Sequence, residues 1–460
     1  MRTVRDLALV LAVLASLPII LSKPFFGILV WTWLGLMNPH KLAWSFAAGQ
    51  PFAQVVGATI LVSLFLSPKD ARSPPLTAIT VTLGLFWAWM ALTTVFALNL
   101  DHSFERFTNV SKILLMTYIT MALLTSRIRI LSLVWVMTLS LGFYGVKGGV
   151  FTLTSGGGQH VWGPAGTFIG GNNEIGLALN MTVPLLRYLQ LTTQDSRVRI
   201  ALGGAIGLTV LAILGTQSRG ALVGLVVMGL WLILKSRRRG PLLVMLGVLV
   251  VPAVLFMPET WYQRMDTIAE AEEDRSAQGR FNAWWAAWYL AQDRPLGAGM
   301  GALTSPWIML SYAPTPGLYA DAHSIYFQVL ADHGFVGLGL YLTLGLMTLA
   351  AIRSIVKQTK KDARLFWMRD LASMIYVSLA AYAASGAFLG LAYFDFLYLL
   401  VAIVAVLQVL LAKYQAEGIP EEPVGGASVA SGPDAGAAAR STGARKPRLS
   451  DKAKAWFDSL

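Results

Sequence analysis

The sequence predicts an all-α, polytopic membrane protein, and three features carry that prediction. Of 460 residues, 55% are hydrophobic and only 13% are charged, and mean hydropathy is +0.60. An ordinary soluble enzyme does not have these values. The apolar residues gather into runs near the ~20 residues that a helix needs to cross a bilayer. The basic residues sit in alternate connections between those runs, which is how a chain encodes its orientation in a membrane.

The runs lie near 5–22, 52–67, 76–98, 108–124, 130–151, 174–191, 198–216, 220–236, 241–257, 325–352, 371–390 and 393–412. Twelve spans are therefore expected, about 12 transmembrane helices in one domain over 1–412. The first run follows Arg2 and Arg5. No small-residue cleavage site follows it, so it reads as a retained span rather than a signal peptide. Phe25 to Met37 is apolar but short, and is expected to be a partial or re-entrant helix.

Connections 68–73, 126–129, 187–199, 235–239 and 353–369 hold 17 Lys or Arg. The longest intervening one, 258–324, carries eight Asp or Glu against four Lys or Arg. The basic connections belong in the cytoplasm. The 258–324 loop, the 152–173 loop and the turn around Arg219 then fall on the opposite side of the membrane. Arg2 and Arg5 favour a cytoplasmic N-terminus, which leaves 25–51 outside without a net crossing. Residues 415–449 turn abruptly to Gly, Ala, Ser, Pro and charge. Residues 413–460 are expected to form a cytoplasmic, mostly disordered tail. Trp456 and Phe457 leave open a short interfacial helix at its end.

A net charge of +12 distributed in this way is topological, so no nucleic-acid partner is expected. Cysteine is absent, which removes disulfides and thiolate metal sites. No cofactor is implied.

The residues able to carry chemistry concentrate on the outer side. Arg219 lies in Gly215-Thr-Gln-Ser-Arg-Gly220. It reads either as an interfacial anchor or, beside a glycine-loosened helix break with free N–H groups, as a phosphate ligand. Arg280 opens Arg280-Phe-Asn-Ala-Trp-Trp-Ala-Ala-Trp288. There Trp284, Trp285 and Trp288 form the aromatic face of an interfacial helix, a platform from which Arg280 reaches a lipid headgroup. His323 stands at the mouth of a hydrophobic helix. Histidine accepts a proton from an alcohol near neutral pH, and a helix-capping role competes with catalysis. Asn172, Asn173 and Glu174 are expected to cap a helix start; for Glu174 the helix dipole is favoured over an acid–base role. Lys147 is a further outer polar residue. His333, about 15 Å further along a helix than His323, reads as packing. No Asp-x-Asp pair stands on an outer loop near the start of the chain, which argues against a metal-dependent sugar transferase.

Several of these features together resemble the O-antigen ligase and polymerase superfamily. They are the His323-Ser324, nine residues, Gly334, two residues, Gly337 pattern, Ser218-Arg-Gly220 between middle spans, and an arginine in one large outer loop. More narrowly, Leu34 to Trp44, Gly163 to Asn180 and Gly279 to Trp284 look like O-glycosylation ligases associated with the exosortase A system. The resemblance covers 1–412. It implies a metal-independent glycosyltransferase that moves a glycan from undecaprenyl pyrophosphate to an acceptor hydroxyl of lipid, protein or polysaccharide. By motif, Arg219 and Arg280 hold the pyrophosphate and His323 activates or orients the hydroxyl. Ser324 stands where the family often has asparagine, and still offers a hydrogen bond. Gly170-Gly171 replaces an aspartate expected before the two asparagines. A polymerase on the lipid-linked chain shares these motifs. A transporter is the reading from a different class, with broken helices expected at mid-membrane.

Overall fold

A computed structural model of the chain describes residues 2–43, 45–66, 73–235, 275–318 and 321–419, with scattered positions between 240 and 262. Every regular element among them is helical. The first five long helices are α1 (Arg2–Ser22), α2 (Pro24–Met37), α3 (Phe52–Leu66), α4 (Ala78–Val95) and α5 (Leu100–Leu123). Next come α6 (Arg127–Thr154), α7 (Asn172–Thr192), α8 (Ser196–Gly215) and α9 (Arg219–Lys235). The large loop supplies α10 (Arg275–Asp293) and the short α11 (Pro306–Tyr312). The chain closes with α12 (Ile325–Gln358), α13 (Phe366–Gly386) and α14 (Asp395–Glu417). Among the described residues, six helices are long and apolar enough to cross a membrane, namely α1, α4, α6, α8, α12 and α14. Helices α2, α3 and α9 are apolar but shorter. Most of the run at 241–257, and the tail beyond Ile419, lie outside the described residues.

Local sequence sets where helices begin. Thr77 and Thr80 form a reciprocal capping box at α4, and Asn99, Ser126 and Asp195 accept backbone N–H groups at α5, α6 and α8. These bonds satisfy donors that a helix start leaves unpaired. Many buried hydroxyls bond back to the carbonyl one turn earlier, as Thr117, Thr120, Thr182 and Thr348 do. That is how an apolar bundle accommodates threonine.

Glycine decides the closest contact. On α6, a Cβ at Gly145 would stand 2.2 Å from Thr209 Oγ1, and one at Gly149 2.1 Å from the Leu208 carbonyl of α8. Small residues at a four-residue spacing allow two backbones to approach in this way. Gly149→Leu should therefore lower the thermal midpoint of the detergent-solubilised protein, with an overpacking cost of about 1–3 kcal/mol. An unchanged midpoint would refute the tight α6–α8 contact.

The bundle has two ends. At one, Arg127 lies over the Trp367 ring and Arg129 over the Phe25 ring, each at 5.2 Å, and Gln415 bonds Gln358 at 3.0 Å. The described parts of the basic connections all gather here. The other end holds the 96–99, 155–171, 216–218 and 387–394 connections together with α10 and α11. Met257 lies beside Gly157 at this second end, and Trp261 Nε1 donates to the Leu214 carbonyl there.

The N-terminus departs from expectation. Asp6 Oδ1 accepts the Ala47 N–H at 2.8 Å, while Ser63 Oγ bonds the Leu21 carbonyl at the other end of α1. Tyr144 donates to the Met37 carbonyl, and Gly35 abuts Asp395 at the start of α14. Helix α2 thus returns alongside α1, and residues 38–49 share an end with the start of α1 rather than facing it from across the bundle. That end is the one away from the basic connections, so Arg5 does not follow the charge rule. At 14 residues, α2 rises about 21 Å, below the ~30 Å of a bilayer core. It is largely buried against its neighbours and need not meet lipid alone.

Candidate active site

Helix α12 is broken. Gly334 has φ 65° and ψ −166°, and a Cβ there would stand 2.1 Å from the Pro295 carbonyl. Backbone groups freed by the break pair with the glycine-rich strap 295–301, which leaves the end of α10. Ala298 N–H reaches the Ala331 carbonyl at 3.2 Å, Gly299 N–H the Asp332 carbonyl at 3.0 Å, and Phe335 N–H the Pro295 carbonyl at 3.1 Å. Irregular backbone survives in an apolar bundle only where protein satisfies it. The short segment from Ile325 to His333 therefore belongs with the loop. It shares a small-residue core with Ala283, Ala287, Leu290, Ala298 and Ala302.

His323 precedes this segment at φ 39°, a left-handed conformation uncommon for a residue with a side chain. The helix cap is Ser324, not His323, and Ser324 makes no side-chain cap bond. Its Oγ is buried and has no hydrogen-bond partner among the described residues. His323 is therefore presented ahead of the helix rather than used to start it. Trp284 holds it there. The indole N–H donates to the Ala322 carbonyl at 2.6 Å, and the ring stacks on Phe327 with centroids 5.0 Å apart. Arg280 lies one turn earlier on α10, on the same face as Trp284. Asn282 fixes the loop ahead of His323 through the Thr315 and Leu318 carbonyls and the Thr315 N–H. Below them, Tyr312 donates to Asp293, and this bond raises the phenol above its ordinary range.

The tryptophans do not form one face as expected. Trp285 and Trp288 are exposed, as are Phe281 and Tyr289, whereas Trp284 turns inward.

The Arg219 turn is built by buried polar groups. Thr216, Gln217 and Ser218 are all buried. Asn172 Nδ2 donates to the Thr216 carbonyl at 2.9 Å, Asn180 Nδ2 to Ala221 at 2.7 Å, and Gln217 Nε2 to Gly157 at 3.0 Å. Two expectations change here. Asn172 does not cap α7, whose cap is Gly171, but fixes the arginine turn across 44 residues of sequence. Gly215 and Gly220 do not loosen helix ends. A Cβ on Gly215 would stand 2.0 Å from Thr152 Oγ1, and one on Gly220 3.2 Å from Phe388. The Ser218 and Ala221 N–H groups already bond Thr216 and Ser218 hydroxyls, so the turn offers a guanidinium more than a row of free donors.

The connection 387–394 joins these parts. Phe388 packs on Trp284 at 6.2 Å, Phe388 and Leu389 cover Gly220, and a Cβ on Gly390 would lie 4.0 Å from the His323 Cα. The Arg219 turn, the Arg280 helix and His323 thus border one short loop between the last two helices. Glu174 folds over its own helix start, with Oε2 1.9 Å from where a Gly171 Cβ would be, in keeping with a helix-dipole role. Lys147 is exposed on α6, and no described contact links it to the three. Among the described residues no group of His, Asp and Glu is placed to hold a metal ion.

A helical, multi-pass membrane protein with arginine and histidine converging at one end of its bundle is the class that these features define. Residues 204–342 match the family model of O-antigen ligase, and residues 4–188 match that of a family of unknown function, DUF5935. The first match contains Arg219, Arg280 and His323, and supports the resemblance to the O-antigen ligase superfamily and a ligase-like role in glycosyl transfer. No curated protein matches the chain.

Proposed function

We propose that the chain transfers a glycan from undecaprenyl pyrophosphate to an acceptor hydroxyl at the periplasmic face of the bacterial inner membrane. The observation that carries this reading is the approach of the Arg219 turn, the Arg280 helix and His323 to Phe388–Gly390. The basic end of the bundle is then cytoplasmic, together with the tail 413–460, and the site end is periplasmic. The acceptor oxygen bonds to the anomeric carbon as the bond from that carbon to the pyrophosphate oxygen breaks. The hydroxyl proton passes to His323, and the polyprenyl pyrophosphate leaves with the electron pair. Arg219 and Arg280 offset the charge that develops on it. Ser324 Oγ, buried beside His323, is a further donor for the acceptor.

The narrower likeness to O-glycosylation ligases favours a distinct acceptor over extension of the lipid-linked chain. The test is an assay of purified protein with a polyprenyl-pyrophosphate glycan and candidate acceptors. Glycan on a separate acceptor establishes a ligase. Longer chains on the same lipid establish a polymerase, and no transfer brings the transporter reading forward. Because arginine takes the leaving-group charge, transfer should persist in EDTA. Loss of turnover on chelation, restored by Mg²⁺, would overturn that assignment.

A further inference from the structure

Asp332 sits within the apolar run of α12, 2% exposed, and each of its carboxylate oxygens is engaged. Oδ1 accepts the Gly301 and Ala302 N–H groups at 2.8 and 3.1 Å, at the far end of the strap. Oδ2 accepts the Tyr393 hydroxyl at 2.9 Å, from the loop that runs beside Gly220, Trp284 and His323. Its neighbour His333 bonds Thr93 through Nδ1 at 2.7 Å, and the His333 carbonyl accepts from Trp89 at 2.9 Å, so α4 backs the same point. One carboxylate therefore links the strap descending from the Arg280 helix, the segment headed by His323 and the loop beside Arg219.

We propose that Asp332 is a positioning residue, which holds these three elements in register so that histidine and arginines meet one substrate; its bearing on turnover rests on the transfer reading above. The carboxylate is an acceptor that serves three donors in two segments, a demand that the aliphatic residues around it cannot meet. Asparagine meets most of it, since its oxygen accepts from the strap and its amide donates to the Tyr393 oxygen. Alanine meets none. Tyr393→Phe cuts only the link to the last loop.

The test has two readouts. The chain has no cysteine, so His323→Cys with Gly390→Cys makes a unique pair across the last loop and the start of the segment, and it leaves the Gln328–Ala392 bond in place. A Cβ at Gly390 would lie 4.0 Å from the His323 Cα, within reach of a disulfide. Disulfide formation under mild oxidant should slow about tenfold in Asp332→Ala and Tyr393→Phe, the effect of losing a buried hydrogen bond. It should stay near the parent rate in Asp332→Asn. In the cysteine-free protein, kcat should fall ~10²-fold in Asp332→Ala, as for a small misplacement of catalytic groups, with donor KM near the parent value. Unchanged cross-linking in both Asp332→Ala and Tyr393→Phe overturns the proposal whatever the turnover does. A loss expressed in KM rather than kcat overturns it in favour of donor binding. Slowed cross-linking in a protein whose parent transfers no glycan keeps the positioning role and removes the transfer reading. Tyr393→Phe leaves the strap bonds intact and carries the test if Asp332→Ala fails to fold.

Discussion

Replacing His323 by alanine should lower glycan transfer by ~10²–10⁴-fold, the usual contribution of a positioned proton acceptor, with expression and membrane insertion unchanged. His323 neither caps α12 nor sits in the buried core, so its imidazole has no evident structural duty. Its backbone has one, because φ is 39°. Alanine tolerates that conformation poorly, and asparagine tolerates it better. His323→Asn therefore separates the two effects. It should fold as the parent does and still fail to turn over. Parent-like transfer by either variant would remove His323 from the chemistry. Loss in alanine alone would make the residue a conformational one.

Arg280→Ala should reduce kcat by ~10²–10³-fold, as expected when one donor to a developing anion is removed. Arg280→Lys should recover part of this, because lysine supplies charge without the planar pair of donors. The arginine is poised one helical turn from Trp284, which is tied to Ala322 beside His323. We expect it to address the same substrate as His323. Turnover should be followed as a function of donor concentration. Full activity in Arg280→Ala would show that the large loop binds no pyrophosphate. Full activity in Arg280→Lys would reduce its role to a point charge. Arg219→Ala is the natural companion, and a deficit in the double variant smaller than the product of the single ones would indicate that both arginines act on one group.

The candidate residues were legible because of their type and place. A histidine at the mouth of an apolar run, or an arginine in a short turn or a large loop between runs, stands out wherever it points, and His323, Arg219 and Arg280 were singled out in that way. What supports them was not. Asp332 lies inside an apolar run that reads as span, and Tyr393 looks like one aromatic among many. Asn172 sits where helix-start chemistry is a sufficient local account and Asn180 lies inside an apolar run, yet they serve a turn 44 and 41 residues away. Trp284 has the spacing of an interfacial face, and only Ala322 and Phe327 reveal that it turns inward.

Run length, residue charge and helix capping are properties of neighbours in the chain. By them the sequence determined an all-helical membrane class, the location of the basic connections and the three residues on which the chemistry is proposed to rest. The return of α2, the break at Gly334 and the approach of the Arg219 turn, the Arg280 helix and His323 to Phe388–Gly390 were decided by tertiary structure alone. Each depends on one segment satisfying the backbone or filling the surface of another far away in sequence. A short helix can traverse the bundle when neighbours cover it, and a broken one persists when a distant strap takes up its freed hydrogen bonds.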